Sequence, residues 1–135
     1  MIISSSVKTI IKSFCLFVFL TAACVKPAPV MDRADPEAVL RAYFDAWKNG
    51  DWSTQASLMD AKYGHMANEP LAALHIVQLQ LFSSPSSTVR TYLVIFEIVV
   101  KGKGVSMQNG RYVWTYELTY DGKKGSWIIT NYGAG

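Results

Sequence analysis

Few side chains in this 135-residue chain have the type and setting for chemistry. His75 stands in Leu74–Phe82 (LHIVQLQLF), where strand alternation groups His75, Val77, Leu79 and Leu81 on one side. An imidazole on an apolar side can serve as a general base. The phenol of Tyr43 or Tyr116 would then be the hydrogen-bond donor, and Trp47 and Asn131 complete a candidate ligand pocket. The plainer reading of the same residues is a core histidine bonded to backbone or tyrosine, with polar aromatics satisfying one another. Carboxylates are missing from this group. Glu97 and Glu117 fall on the outer side of their strands, Asp45 lies beside a helical apolar stripe, and Asp121 lies in a turn. His65 sits in a loop, and two histidines without a cysteine or nearby acid do not make a metal site. No Ser-His-Asp set, phosphate loop or internal repeat is visible, and nothing calls for a cofactor.

The elements that must position these residues follow from periodicity. Tyr112–Tyr120 alternates large apolar and polar residues and reads as a strand, as does Thr88–Val100, rich in Val, Ile, Tyr and Phe. Both sides of the latter are apolar, which means burial on both or an exposed patch that takes a partner. Asn109-Gly110 is the favoured pair for a two-residue hairpin turn. Closing there, with one extra residue among Gly102–Gly104, sets Val100 opposite Leu118 and Ile98 opposite Tyr120. A glycine bulge at that point would curve the hairpin. Its inner face carries Val94, Phe96, Ile98, Val100, Tyr112, Trp114, Tyr116 and Leu118. A second turn at Asp121–Lys124 places Trp127 beside Leu118, Ile129 beside Tyr116, and Asn131 on the same inner face. The ring-bearing stripe of Tyr112, Trp114 and Tyr116 reads as packing before it reads as a sugar platform.

Asp35 and Pro36 open a helix as cap and first helical residue, and Gly50 stops it after Lys48. Val39, Leu40, Tyr43, Phe44 and Trp47 form one stripe along it. Asp51 caps a shorter helix, Trp52–Met59. Asp60–Pro70 is loop with room for one helical turn, Leu74–Phe82 is a strand in preference to a helix, and Ser83–Ser87 is loop.

The N-terminal segment gives an address. Lys8 and Lys12 precede an uncharged apolar run, Ser13–Ala23, too short to span a bilayer, and the order of parts is that of an export signal. Leu20-Thr21-Ala22-Ala23-Cys24 resembles the lipobox of bacterial lipoproteins, although Thr21 stands where leucine is usual; simple secretory cleavage is the competing reading. The resemblance implies diacylglycerol, and with it palmitate, on Cys24. Cys15 lies inside the signal, so a chain cut before Cys24 has no second thiol for a disulfide. Residues 1–23 are then a signal peptide, 24–34 a proline-bearing tether and 35–135 a domain. Without Lys8 and Lys12 the 13 basic residues become 11, against 10 acidic ones, which excludes the basic face that nucleic acid needs. Lys101, Lys103, Lys123 and Lys124 gather at turns as solvated loop tips.

The order helix, short helix (PEAVLRAYFDAWKNGDW), crossing segment and long antiparallel strands ending in Trp127-x-Ile129-x-x-Tyr132-Gly133 resembles the nuclear transport factor 2-like superfamily. Within it, the likeness is to small bacterial lipoproteins of uncharacterised function. The resemblance implies an α+β cone, with N-terminal helices packed on a strongly curved antiparallel sheet and a pocket between them. It also implies frequent pairing of two copies through the sheet. Its members include isomerases, dehydratases and non-catalytic binding domains, so fold does not settle function. The missing acid–base pair favours a lipid-anchored, non-catalytic envelope domain, outside the cytoplasm, that binds a small molecule or a protein. The alternatives are a pocket isomerase or dehydratase using His75, which a solvent-facing His75 would end, and a homodimeric adaptor.

Overall fold

The computed structural model describes residues 32–63, 69–102 and 106–134. The segment read as an export signal, and Cys24, lie outside them. Helix α1, Pro36–Asn49, begins as its sequence dictates: the Asp35 carboxylate accepts from the Glu37 N–H at 3.1 Å, and Pro36 needs no partner for an N–H. It ends at Gly50, whose φ of 68° suits only glycine well and turns its N–H back onto the Trp47 carbonyl at 3.1 Å. Val39, Leu40, Tyr43, Phe44 and Trp47 are all fully buried. Asp51 caps the shorter α2, Trp52–Ser57, by accepting from the Thr54 N–H and hydroxyl. Leu58 and Met59, expected as its last turn, instead leave the helix to run beside the last strand, where Met59 bridges Ile129. A single 3₁₀ turn, Ala61–Tyr63, follows.

The sheet is four-stranded and antiparallel in the order β1-β2-β3-β4, with β1 Leu71–Ser86, β2 Val89–Val100, β3 Gly110–Asp121 and β4 Ser126–Ala134. The fold class is α+β, helices on one face of the sheet. β1 is longer than expected and takes in most of the Ser83–Ser87 segment read as loop.

Register departs from expectation in an instructive way. Asn109-Gly110 does not close a two-residue turn. Ile98 pairs with Gly110, not Tyr120, and Val99 and Val100 pair only with β1. Asn109 uses its side chain instead, its Oδ1 accepting from the Val100 N–H at 2.7 Å, and Gly110, at φ 145°, starts β3. The displacement along β3 is ten residues, an even number, so the side chains of β2 and β3 keep their expected faces. The same holds at the second turn. Four residues, Gly122–Gly125, cross it rather than two, with Asp121 Oδ1 accepting from the Lys123 N–H at 3.0 Å. Trp127 therefore faces Tyr120, and Ile129 faces Leu118. The β2–β3 ladder runs from Val89 to Ile98 without a bulge; the irregularities lie in β1 (beside Ala72, Val77, Phe82 and Ser84) and in β4 at Thr130.

The domain starts slightly before Asp35. The Arg33 carbonyl accepts from the Trp127 N–H at 2.9 Å and its guanidinium donates to Ser57 Oγ at 3.3 Å, so the last residues of the expected tether belong to the fold.

Candidate functional site

Tyr43, Trp47 and Tyr116 meet between α1 and the sheet, as the sequence led us to expect, but they meet as core. Tyr43 and Tyr116 ring centroids lie 5.6 Å apart, Phe44 sits 5.1 Å from Phe96 and 5.3 Å from Tyr116, and Trp47 stacks on Trp114. The Trp47 indole N–H donates to the Glu69 carbonyl at 2.9 Å, so its polar edge is satisfied without a ligand. Tyr116 Oη is buried without a well-formed hydrogen bond; the Tyr43 hydroxyl is the polar group beside it. Burial pushes the Tyr116 phenol well above its ordinary value, and the neighbouring Tyr43 and Tyr132 phenols add to the shift. Such a phenol holds its proton and cannot serve as a base near neutrality. Apart from tyrosine hydroxyls, the buried polar side chains among the described residues are Gln55 and Ser126, with no carboxylate and no histidine in the interior.

His75 is not in this group. It lies on the exposed, outer face of β1 opposite Glu97, with the sheet between it and both tyrosines. The bulge at Val77 explains the error. It shifts the alternation by one, so that Leu74 and Ile76 share the inner face with Leu79 and Leu81, and His75 and Gln80 share the outer one. A base at His75 with a donor at Tyr43 or Tyr116 is excluded by this geometry. Asn131 is displaced by the same device: the bulge at Thr130 sets it opposite Glu117 on the outer face, where its Oδ1 accepts from the Tyr63 hydroxyl at 3.3 Å.

The ionisable groups that the structure does bring together lie outside. Glu97 faces Arg111 across β2 and β3, and Arg111 donates to Glu97 Oε1 from Nη2 at 2.6 Å and from Nε at 3.0 Å. His75, Glu97 and Arg111 thus form one row across three strands. A cavity of about 410 Å³ adjoins the row, lined also by Ala73, Ile98, Val99 and Asn109. Its walls are largely aliphatic, with charge on one side, which suits a ligand having an apolar body and a polar end. Glu97 and Arg111 are two of the few ionisable residues in two largely apolar strands, a signal present in the sequence; their meeting was hidden by the register. A smaller cavity of about 240 Å³ on the same face is lined by Thr91, Thr115, Glu117 and Asn131, among others. Among the described residues no three metal-ligating side chains cluster.

No protein-family model matches the chain, and no curated relative does. Solved structures do. A SEC-C motif containing protein from Rhodopseudomonas palustris is similar over 77% of this chain and 81% of that one, at 15% identity and a TM-score of 0.54. An NTF-2 like protein of unknown function from Shewanella oneidensis MR-1 is similar over 69% of this chain and 93% of that one, at 10% identity and a TM-score of 0.42. At 15% identity the first of these likenesses is one of fold alone. The class it goes with is an α+β protein whose helices pack on one face of an antiparallel sheet.

Proposed function

We propose that the chain is a lipid-anchored, non-catalytic domain of the bacterial cell envelope, of nuclear transport factor 2-like type, that binds a small molecule or a protein on the outer face of its sheet. One observation carries this reading. The space between helix and sheet, where a pocket enzyme would hold its base, is filled by interlocked rings from Tyr43, Phe44, Trp47, Phe96, Trp114 and Tyr116. General acid–base catalysis needs a group that titrates within reach of a bound substrate, and the described interior offers no carboxylate and no histidine, only phenols such as Tyr116 that burial keeps protonated. What chemistry the domain presents faces outward, at the His75–Glu97–Arg111 row and its cavity. The lipobox-like sequence ending at Cys24 supports the anchor.

Two probes test the site. Benzoate and benzylamine each pair an aromatic body with one charge, and nuclear magnetic resonance reads where they bind. Shifts confined to residues 73–75, 97–99 and 109–111 are the expected result. Shifts at the rings of Tyr43, Trp47 and Tyr116 would mean an interior pocket and end this reading.

A further inference from the structure

The two edges of the sheet are treated differently. The β4 edge is closed by the chain itself. The Ile129 N–H donates to the Leu58 carbonyl at 2.9 Å, the Asp60 N–H to the Ile129 carbonyl at 2.8 Å, and the Trp127 N–H to the Arg33 carbonyl at 2.9 Å. The β1 edge has no such cover among the described residues: β1 pairs with β2 and with nothing else. Open edges are normally blunted by charges, prolines, bulges or shortness. β1 has its bulges, and Pro85 near its end, but neither charge nor shortness protects it. β1 runs for 16 residues, and none of them is Asp, Glu, Lys or Arg. Val77, Leu81 and Phe82 are among the exposed large apolar residues of the domain, at 42%, 48% and 68%.

The side-chain order along this edge is nearly the same read in either direction. Leu74 and Ile76 face the helix side of the sheet before the Val77 bulge, and Leu79 and Leu81 face it after. His75 and Gln80 occupy the matching outer positions. A twofold axis between Val77 and Gln78 would therefore set Ile76 opposite Leu79 and Leu74 opposite Leu81 of a second copy, with His75 opposite Gln80. Apolar residues meet apolar ones on one face, polar ones meet on the other, and no like charges are brought together. Such an interface is isologous, the form that closes as a dimer. The geometry points to antiparallel pairing of β1 with β1 of a second copy of this chain, giving one continuous eight-stranded sheet. A charged peptide would find no complement on this strand, whereas its own copy does. The outer face, with its cavity, stays open in this arrangement.

The test uses the full chain as cells make it, held in mild detergent under reducing conditions and followed by sedimentation equilibrium. Wild type is expected to reach the mass of two chains. Val77→Lys places a charge next to its own copy across the axis and is expected to raise the dimer dissociation constant about tenfold or more. Val113→Lys, on the exposed outer face of β3, is expected to leave it unchanged. Wild type that stays monomeric at every concentration would overturn the proposal. So would a Val113→Lys variant that dissociates as readily as Val77→Lys, which would mean face-to-face packing. Should Val77→Lys fail to fold, amide exchange of wild type decides: slowing with concentration along residues 74–81 is expected, and its absence there contradicts edge pairing, whatever partner else protects the strand.

Discussion

The indole of Trp47 lies over that of Trp114, ring centroids 6.5 Å apart and planes 24° from parallel, and this stack joins α1 to β3 through the middle of the domain. Phe96 packs against both, at 5.7 Å and 5.5 Å. Trp47 is fully buried. Trp47→Ala is therefore expected to cost about 3–5 kcal/mol, the range for large aromatic truncations that leave a cavity. Trp47→Phe keeps a ring but leaves the Glu69 carbonyl without its donor, and is expected to lose about 1–3 kcal/mol. Urea unfolding checks both; a Trp47→Ala loss under about 1 kcal/mol would mean that the rings do not bear the packing argued from them.

Tyr116 predicts an alkaline limb in stability. Its folded pKa is raised by burial above the ordinary 10.0, so above that value the unfolded chain loses a proton that the folded chain keeps. The unfolded state then binds fewer protons, and stability falls as pH rises past 10.0. Tyr92 and Tyr132, also raised by burial, add to the fall. In Tyr116→Phe the limb should be shallower. Near neutrality the same variant should be unchanged or slightly more stable, because the hydroxyl it removes is buried without a well-formed bond. Urea midpoints measured across the alkaline range read both effects, and an identical slope in variant and wild type would contradict the assignment.

The Glu97–Arg111 pair is short but half-open to water, with side-chain exposures of 44% and 59%. Glu97→Gln and Arg111→Ala should each change unfolding free energy by less than about 1 kcal/mol, and salt should shrink the difference. A larger, salt-insensitive loss would show that the pair is structural and leave the outer row without a binding role.

Cys24→Ala tests the address. Wild type grown with an alkyne-bearing palmitate should carry the label and sediment with membranes, and the variant should do neither. A variant that remains equally membrane-bound would remove the lipid anchor from the account.

How far the sequence went is best seen strand by strand. The alternation over Tyr112–Leu118 and Val94–Val100 assigned the inner face correctly, because side-chain direction depends only on parity and the register errors were even. The partners themselves were not legible. Asn109-Gly110 carries the residue types of a tight turn, yet the amide side chain bonds Val100 and the glycine opens β3. Caps at Asp35, Gly50 and Asp51 were legible because each is a local contest between a side chain and a nearby N–H or carbonyl. His75 and Asn131 were misplaced for the opposite reason. Single-residue bulges at Val77 and Thr130 reverse the alternation, and no residue type at either position announces them.

The account's central claim is that the space between helix and sheet is occupied. Indole, titrated into wild type and into Trp47→Ala while the thermal midpoint is followed, tests it most directly. Truncation should open an apolar cavity able to accept such a ring, so the variant's midpoint should rise saturably with indole while that of wild type stays flat. A saturable rise in wild type would reveal a standing pocket among the rings and contradict the claim.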